Sequence, residues 1–152
     1  MPLGARENYV PIESNPDTAG VFDLAGALVL VIDDEGAVQE GMAALLRKWQ
    51  CEVFTAGSGK EMLQQLVSVQ RLPDLIISDY RLRGGENGIE VVELLRNEFN
   101  VDIPALLVTG DTAPDRLRDA EASGLPILHK PLNPARLRTL IANLLREHVH
   151  AA

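Results

Sequence analysis

The sequence predicts an α/β fold, a doubly wound parallel sheet of five strands with helices on both faces. Three observations predict it. From Ala27 onward, short apolar runs alternate five times with amphipathic stretches, the pattern of successive strand–helix units. The first run, Ala27-Leu28-Val29-Leu30-Val31-Ile32, shows no helical stripe and suits a strand buried on both faces. Most of the runs stop at polar residues, and ligands of open α/β sheets bind at the C-terminal strand edge.

The elements follow in order. Residues 1–24, with Pro2, Gly4, Pro11, Pro16 and Gly20 and no periodicity, read as a linker or loosely ordered arm. Residues 25–147 form one domain and 148–152 a tail. The first helix follows Asp34, with Val38, Met42, Leu45, Leu46 and Trp49 on one stripe. Cys51–Thr55 is a short strand. Ser58 and Glu61 form a capping-box pattern ahead of a helix continued by Met62, Leu63, Leu66 and Val67. Leu75-Ile76-Ile77 is a strand ending at Ser78-Asp79, and a glycine-rich loop from Gly84 to Gly88 leads to a helix carrying Ile89, Val92, Leu95 and Phe99. Ile103–Val108 is the fourth strand, ending at Thr109-Gly110, and a thin polar helix with Leu117 and Ala120 runs from about Ala113 to Ala122. Pro126–His129 is the fifth strand, ending at Lys130-Pro131. Asn133 as N-cap and Pro134 at the first helical position open the last helix, striped by Leu137, Leu140, Ile141 and Leu144.

Composition narrows the function classes. A net charge of −8 without a Lys/Arg-rich block argues against direct contact with nucleic acid or anionic membrane. Cys51 is the only cysteine, so no intrachain disulfide forms. The start of the chain lacks a signal-peptide pattern, and Leu24–Ile32 is too short to span a bilayer. A cytoplasmic domain is the expectation.

Asp33 and Asp34 close the first strand side by side. Such a pair alone is commonly a solvated acidic turn. Beside an apolar strand, like charges raise each other's pKa unless a cation joins them, and hard carboxylate oxygens suit Mg²⁺ or Mn²⁺. Strand three ends in Asp79, strand four in Thr109 and strand five in Lys130, so the fold gathers all five residues at one rim. Carboxylates hold a divalent cation, and one of them can attack phosphorus. The ammonium neutralises a transferring phosphoryl group, and the hydroxyl donates to one of its oxygens.

In this order, acid pair, Asp79, Thr109 and Lys130-Pro131, the chain resembles the receiver domain of two-component response regulators over roughly residues 27–146. The resemblance implies a flavodoxin-like sheet of strand order 2-1-3-4-5. It implies Asp79 as phospho-acceptor from the phosphohistidine of a histidine kinase or histidine phosphotransfer domain. Asp34 then binds Mg²⁺ directly, Asp33 largely through water, and the main-chain carbonyl of Arg81 adds a further ligand. Thr109 swings toward the phosphoryl group, Lys130 pairs with it, and the Lys130–Pro131 peptide is cis. Phosphorylation and dephosphorylation are self-catalysed, and a homodimer through the helix 4–strand 5–helix 5 face is a further implied partner. The segments Asp79–Gly88 and Leu128–Leu132 look most similar to receivers attached to sensor histidine kinases, which implies a hybrid kinase as parent.

Departures from the family pattern occur. Ile127 stands where the family usually carries an aromatic coupled to the Thr, and the loop after Asp79 lacks the common Met-Pro and is one residue longer. No output domain follows the last helix in this sequence. Two other function classes compete. A haloacid-dehalogenase-like phosphatase needs a second acid two residues after the nucleophile, where Arg81 stands. A phosphorylation-independent docking or dimerisation module is motivated by Ile127. Gly57-Ser58-Gly59-Lys60 fails the phosphate-loop pattern, because Phe54 holds the first glycine's place and Glu61 follows the lysine. His129 reads as a half-buried strand residue, His148 and His150 as tail residues, and Arg81 and Asp111 as either a pair across the site mouth or two solvated charges.

Overall fold

The computed structural model describes residues 24–110 and 114–151, without the side chains of 115, 116 and 148–151. The N-terminal arm through residue 23 and Asp111 lie outside the described residues, as do the side chains of His148 and His150. Leu24–Leu132 is one compact unit, and the last helix belongs to a second.

The first unit alternates β1 (Leu28–Ile32), α1 (Gly36–Lys48), β2 (Glu52–Ala56), α2 (Gly59–Leu66), β3 (Leu75–Asp79), α3 (Gly88–Phe99), β4 (Ala105–Thr109), α4 (Pro114–Ala122) and β5 (Ile127–His129), with a 3₁₀ turn at Arg83–Gly85. All strand pairs are parallel, in the order β2-β1-β3-β4-β5. This is the flavodoxin-like order that the resemblance implies. The chain steps outward from β1 to β2, then back across β1 to β3. With right-handed crossovers, that reversal puts α1 on one face and α2–α4 on the other. It also opens a crevice between the C-terminal ends of β1 and β3.

Burial follows the same logic. Every residue of β1, β3 and β4 is buried, whereas the edge strands β2 and β5 are only partly covered. Leu28, Leu30 and Ile32 alternate onto one face of β1 and pack with Met62, Leu66, Val91, Val92 and Leu95 of α2 and α3. Each such fully buried aliphatic side chain contributes roughly 1.5–3 kcal/mol. Leu24, assigned by sequence to the arm, is buried, and its carbonyl faces the Cys51 thiol.

Local signals explain the helix starts. Ser58 Oγ accepts the Glu61 N–H at 3.1 Å, while the Glu61 carboxylate accepts the Gly57 N–H at 2.8 Å. Asn87 and Glu90 form a full reciprocal capping box at α3. Several details differ from expectation. β2 lies one residue later than predicted. β4 starts at Ala105, because Pro104 has no N–H and enters the ladder only through its carbonyl, which accepts from Ile76 N–H. Val67 caps α2 from outside and is 84% exposed, since the helix ends one residue short of it. In α5 (Pro134–Ala151) the buried stripe is Leu137, Ile141 and Leu145, with Leu140 and Leu144 half-buried. Asn133 Oδ1 caps that helix by accepting the Arg136 N–H.

Candidate functional site

The β1–β3 crevice collects the predicted residues. β1 delivers Asp33, 3% exposed, and Asp34 directly after it. β3 ends in Asp79, 9% exposed. Register pairs Ile32 with Ser78, which brings Asp33 level with Asp79. One carboxylate oxygen from each of Asp33, Asp34 and Asp79 lies within 4.8 Å of the others.

Lys130, just past β5, crosses to these acids. Its Nζ donates to Asp79 Oδ2 at 3.1 Å and to Asp33 Oδ2 at 3.3 Å, with Glu35 at 3.9 Å. Thr109, buried at the end of β4, pairs with His129 in the sheet, and its carbonyl accepts the Lys130 N–H. The Lys130–Pro131 peptide is cis. Asp33 is further fixed by Glu35, whose N–H donates to Asp33 Oδ1 at 2.9 Å as α1 begins. His129 is exposed rather than half-buried, at the end of a three-residue edge strand.

Burial pushes the Asp79 carboxyl up from its ordinary value, and the Asp33 charge adds to that rise. The hydrogen bond and charge of Lys130 and the Arg81 main-chain N–H pull it down without cancelling it. Burial acts on Lys130 in the opposite sense, but the bond to Asp79 and the two carboxylate charges outweigh it and hold the ammonium above its usual range. Lys130 is therefore a permanent cation at neutral pH, set against two deep carboxylates. The donor set, three hard oxygen groups carrying more negative charge than one ammonium neutralises, fits a divalent Mg²⁺ or Mn²⁺.

Sequence reasoning missed several supporting residues. Gly88 opens α3 against the back of Asp79. A Cβ there would meet the Asp79 carbonyl oxygen at 2.6 Å and Leu107 Cδ2 at 2.8 Å, so no side chain fits without displacing the strand end. Glu86 Oε1 accepts the Gly59 N–H at 3.2 Å and ties the loop after β3 to α2. Arg83 bonds Asp34 through its main chain. The Asn87-x-x-Glu90 pattern was legible; the other contacts join segments far apart in sequence and had no local signal. At the Ile127 position, the side chain packs against a cluster of Tyr80, Leu107 and Ala120, so the aromatic of this region comes from β3's end instead of β5.

Comparison with known proteins gives concordant matches. The response regulator receiver domain model matches residues 29–142. The phosphate regulon transcriptional regulatory protein PhoB of Pseudomonas aeruginosa is 31% identical over 125 residues, covering 81% of this chain and 53% of that protein. The DNA-binding response regulator MtrA of Mycolicibacterium paratuberculosis is 31% identical over 121 residues, covering 79% and 52%. The chain thus spans about half the length of these relatives. Among solved structures, the Vibrio cholerae chemotaxis protein CheY4 superposes with a TM-score of 0.64 at 32% identity, covering 76% of this chain and 97% of that one. A receiver domain protein from Clostridium thermocellum reaches 0.71 at 24% identity, covering 83% and 99%, a likeness of fold.

Proposed function

This chain belongs to the response regulator receiver family, and from that premise we propose that Asp79 is the phospho-acceptor of a two-component phosphorelay. The observation that carries this reading is the placement of the Asp79 carboxylate, nearly buried, hydrogen-bonded to Lys130 at 3.1 Å and flanked by two further acids. A carboxylate oxygen of Asp79 attacks the phosphorus of a phosphohistidine. The P–N bond breaks, the imidazole leaves with that electron pair, and an acyl phosphate forms. Lys130 balances negative charge on the phosphoryl oxygens, and the Thr109 hydroxyl donates to one of them.

Asp33, Asp34, Asp79 and the main-chain carbonyl of Arg81 are the groups that would hold a divalent cation. When bound, Mg²⁺ or Mn²⁺ supplies positive charge against the charge developing in transfer. Asp34, outside the reach of the Lys130 contacts and met by Arg83 at Oδ2, suits direct ligation, whereas both Asp33 oxygens already accept hydrogen bonds.

The donor is a histidine kinase or a histidine phosphotransfer domain, and the setting is cytoplasmic. No helix among the described residues is long and apolar enough to cross a membrane. The parent is read as a hybrid histidine kinase, from the segments Asp79–Gly88 and Leu128–Leu132, with residues 1–23 as linker. The curated relatives PhoB and MtrA are by name transcriptional or DNA-binding regulators. The net charge of −8 assigns no nucleic-acid contact to this domain itself.

Incubation with acetyl phosphate and Mg²⁺, followed by intact-mass measurement, tests the assignment. The wild-type chain gains one phosphoryl group and Asp79→Asn gains none. An undiminished gain in Asp79→Asn overturns it.

A further inference from the structure

Among the described residues, two cations pair with the acids of this site. Lys130 serves the two deep acids, Asp33 and Asp79. The third acid, Asp34, is met by Arg83. The Arg83 main-chain N–H donates to Asp34 Oδ2 at 2.8 Å, and the Nε of the same residue stands 3.7 Å from that same oxygen. Arg83 does not sit on a loose strand of chain. Gly84 and Gly85, at φ of 82° and 87°, turn the backbone where a side chain would be strained. Leu82 N–H donates to the Glu86 carbonyl, Arg81 bridges to Asn87, and the Glu86 carboxylate anchors on the N-terminus of α2. The turn is strapped at its base and presents Arg83 to Asp34.

We propose that Arg83 is a competing cation at the metal site, a residue that sets divalent-ion affinity by pairing with Asp34. The inference rests on the metal reading given above. A metal ligand shared with a guanidinium and a main-chain N–H is a poorer donor to the ion, because the same oxygen charge is divided among them. The Arg83 side chain is 83% exposed and that of Asp34 only 18%. The guanidinium therefore tunes affinity rather than blocking the site, and its contribution is screened by salt. The described contacts of Arg83 are to Asp34, and its effect on transfer is assigned to the ion.

The test is a Mn²⁺ titration of the full chain, with free Mn²⁺ read by electron paramagnetic resonance. Arg83→Ala is expected to bind Mn²⁺ roughly two- to five-fold more tightly than wild type, the range an exposed ion pair spans. Arg83→Glu binds more tightly still, Arg83→Lys stays near wild type, and the differences shrink at high ionic strength. Saturable wild-type binding with Arg83→Ala unchanged or weakened overturns the proposal and leaves the metal reading standing. Absence of saturable binding in wild type overturns both, while leaving the mass test of Asp79 to stand separately.

Discussion

The two ends of the sheet both carry charged clusters, and they are built differently. At the N-terminal end, Asp74 Oδ2 accepts the Leu28 N–H at 2.8 Å and pairs with Arg71 at 2.9 Å, while Arg71 also reaches Glu52 at 3.3 Å and the Gly26 carbonyl. These side chains are roughly half in solvent, with 39% of Arg71 and 41% of Asp74 exposed. At the C-terminal end, Asp33 and Asp79 are buried and share the single ammonium of Lys130. The lower cluster closes a seam between strands, with charges that water screens. The upper cluster concentrates unbalanced negative charge where water is scarce; burial there raises the Asp79 carboxyl, and the two carboxylates, against the effect of burial, hold Lys130 charged. Charge pairing in the first case supports the fold. In the second it stores electrostatic potential that a cation and a phosphoryl group can use.

Substitutions at the two ends should separate these roles. The largest effect is expected for Lys130→Ala, which leaves two buried carboxylates facing each other. Removing one partner of a buried pair costs about 3–5 kcal/mol, and the partial exposure of Lys130 brings the expectation to about 2–3 kcal/mol at neutral pH. Urea midpoints should show this loss shrinking in acid, as the carboxylates take up protons. A loss that is the same at both pH values would mean that Lys130 acts by packing instead of charge.

Asp79→Asn is expected to act in the opposite direction. The native Asp79 carboxyl titrates above its unfolded value. Its contribution to stability is therefore full below the unfolded pKa and is lost as pH rises through the native one. An amide does not ionise, so Asp79→Asn should exceed wild type at neutral pH by on the order of 1 kcal/mol, and the advantage should vanish in acid. Denaturation at about pH 7 and about pH 3 reads the difference directly. A destabilised Asp79→Asn at neutral pH would show that the Lys130 bond outweighs burial.

The smallest effect belongs to the lower end. Arg71→Ala should cost about 0.5–1 kcal/mol, since the pair is exposed and Asp74 keeps the Leu28 N–H. A cost as large as that of Lys130→Ala would erase the distinction between the two ends.

Much of the fold was legible because its signals are local. The β1 run and the leucine and valine stripe of α3 reflect the two-residue and 3.6-residue periods, which need only neighbouring positions. Boundaries shifted where backbone chemistry decided them, as at Pro104, or where a helix stopped early, as at Val67. His129 was misjudged because its exposure is set by its place at the end of a short edge strand, which no local pattern marks.

The sequence by itself determined which residue types stand at the strand ends: Asp33, Asp34, Asp79, Thr109 and Lys130, each at or just after the end of an apolar run. Parallel topology then leaves them little choice but one rim. Only the tertiary structure decided how their charges are shared. Lys130 divides itself between Asp33 and Asp79, residues 97 and 51 positions away, and Arg83 turns to Asp34 across 49. Gly88 lies so close to the Asp79 carbonyl that a side chain is excluded. Those contacts depend on strand register and on the path of one turn, which no short window of sequence encodes, because their energy comes from groups brought together only after the sheet has formed.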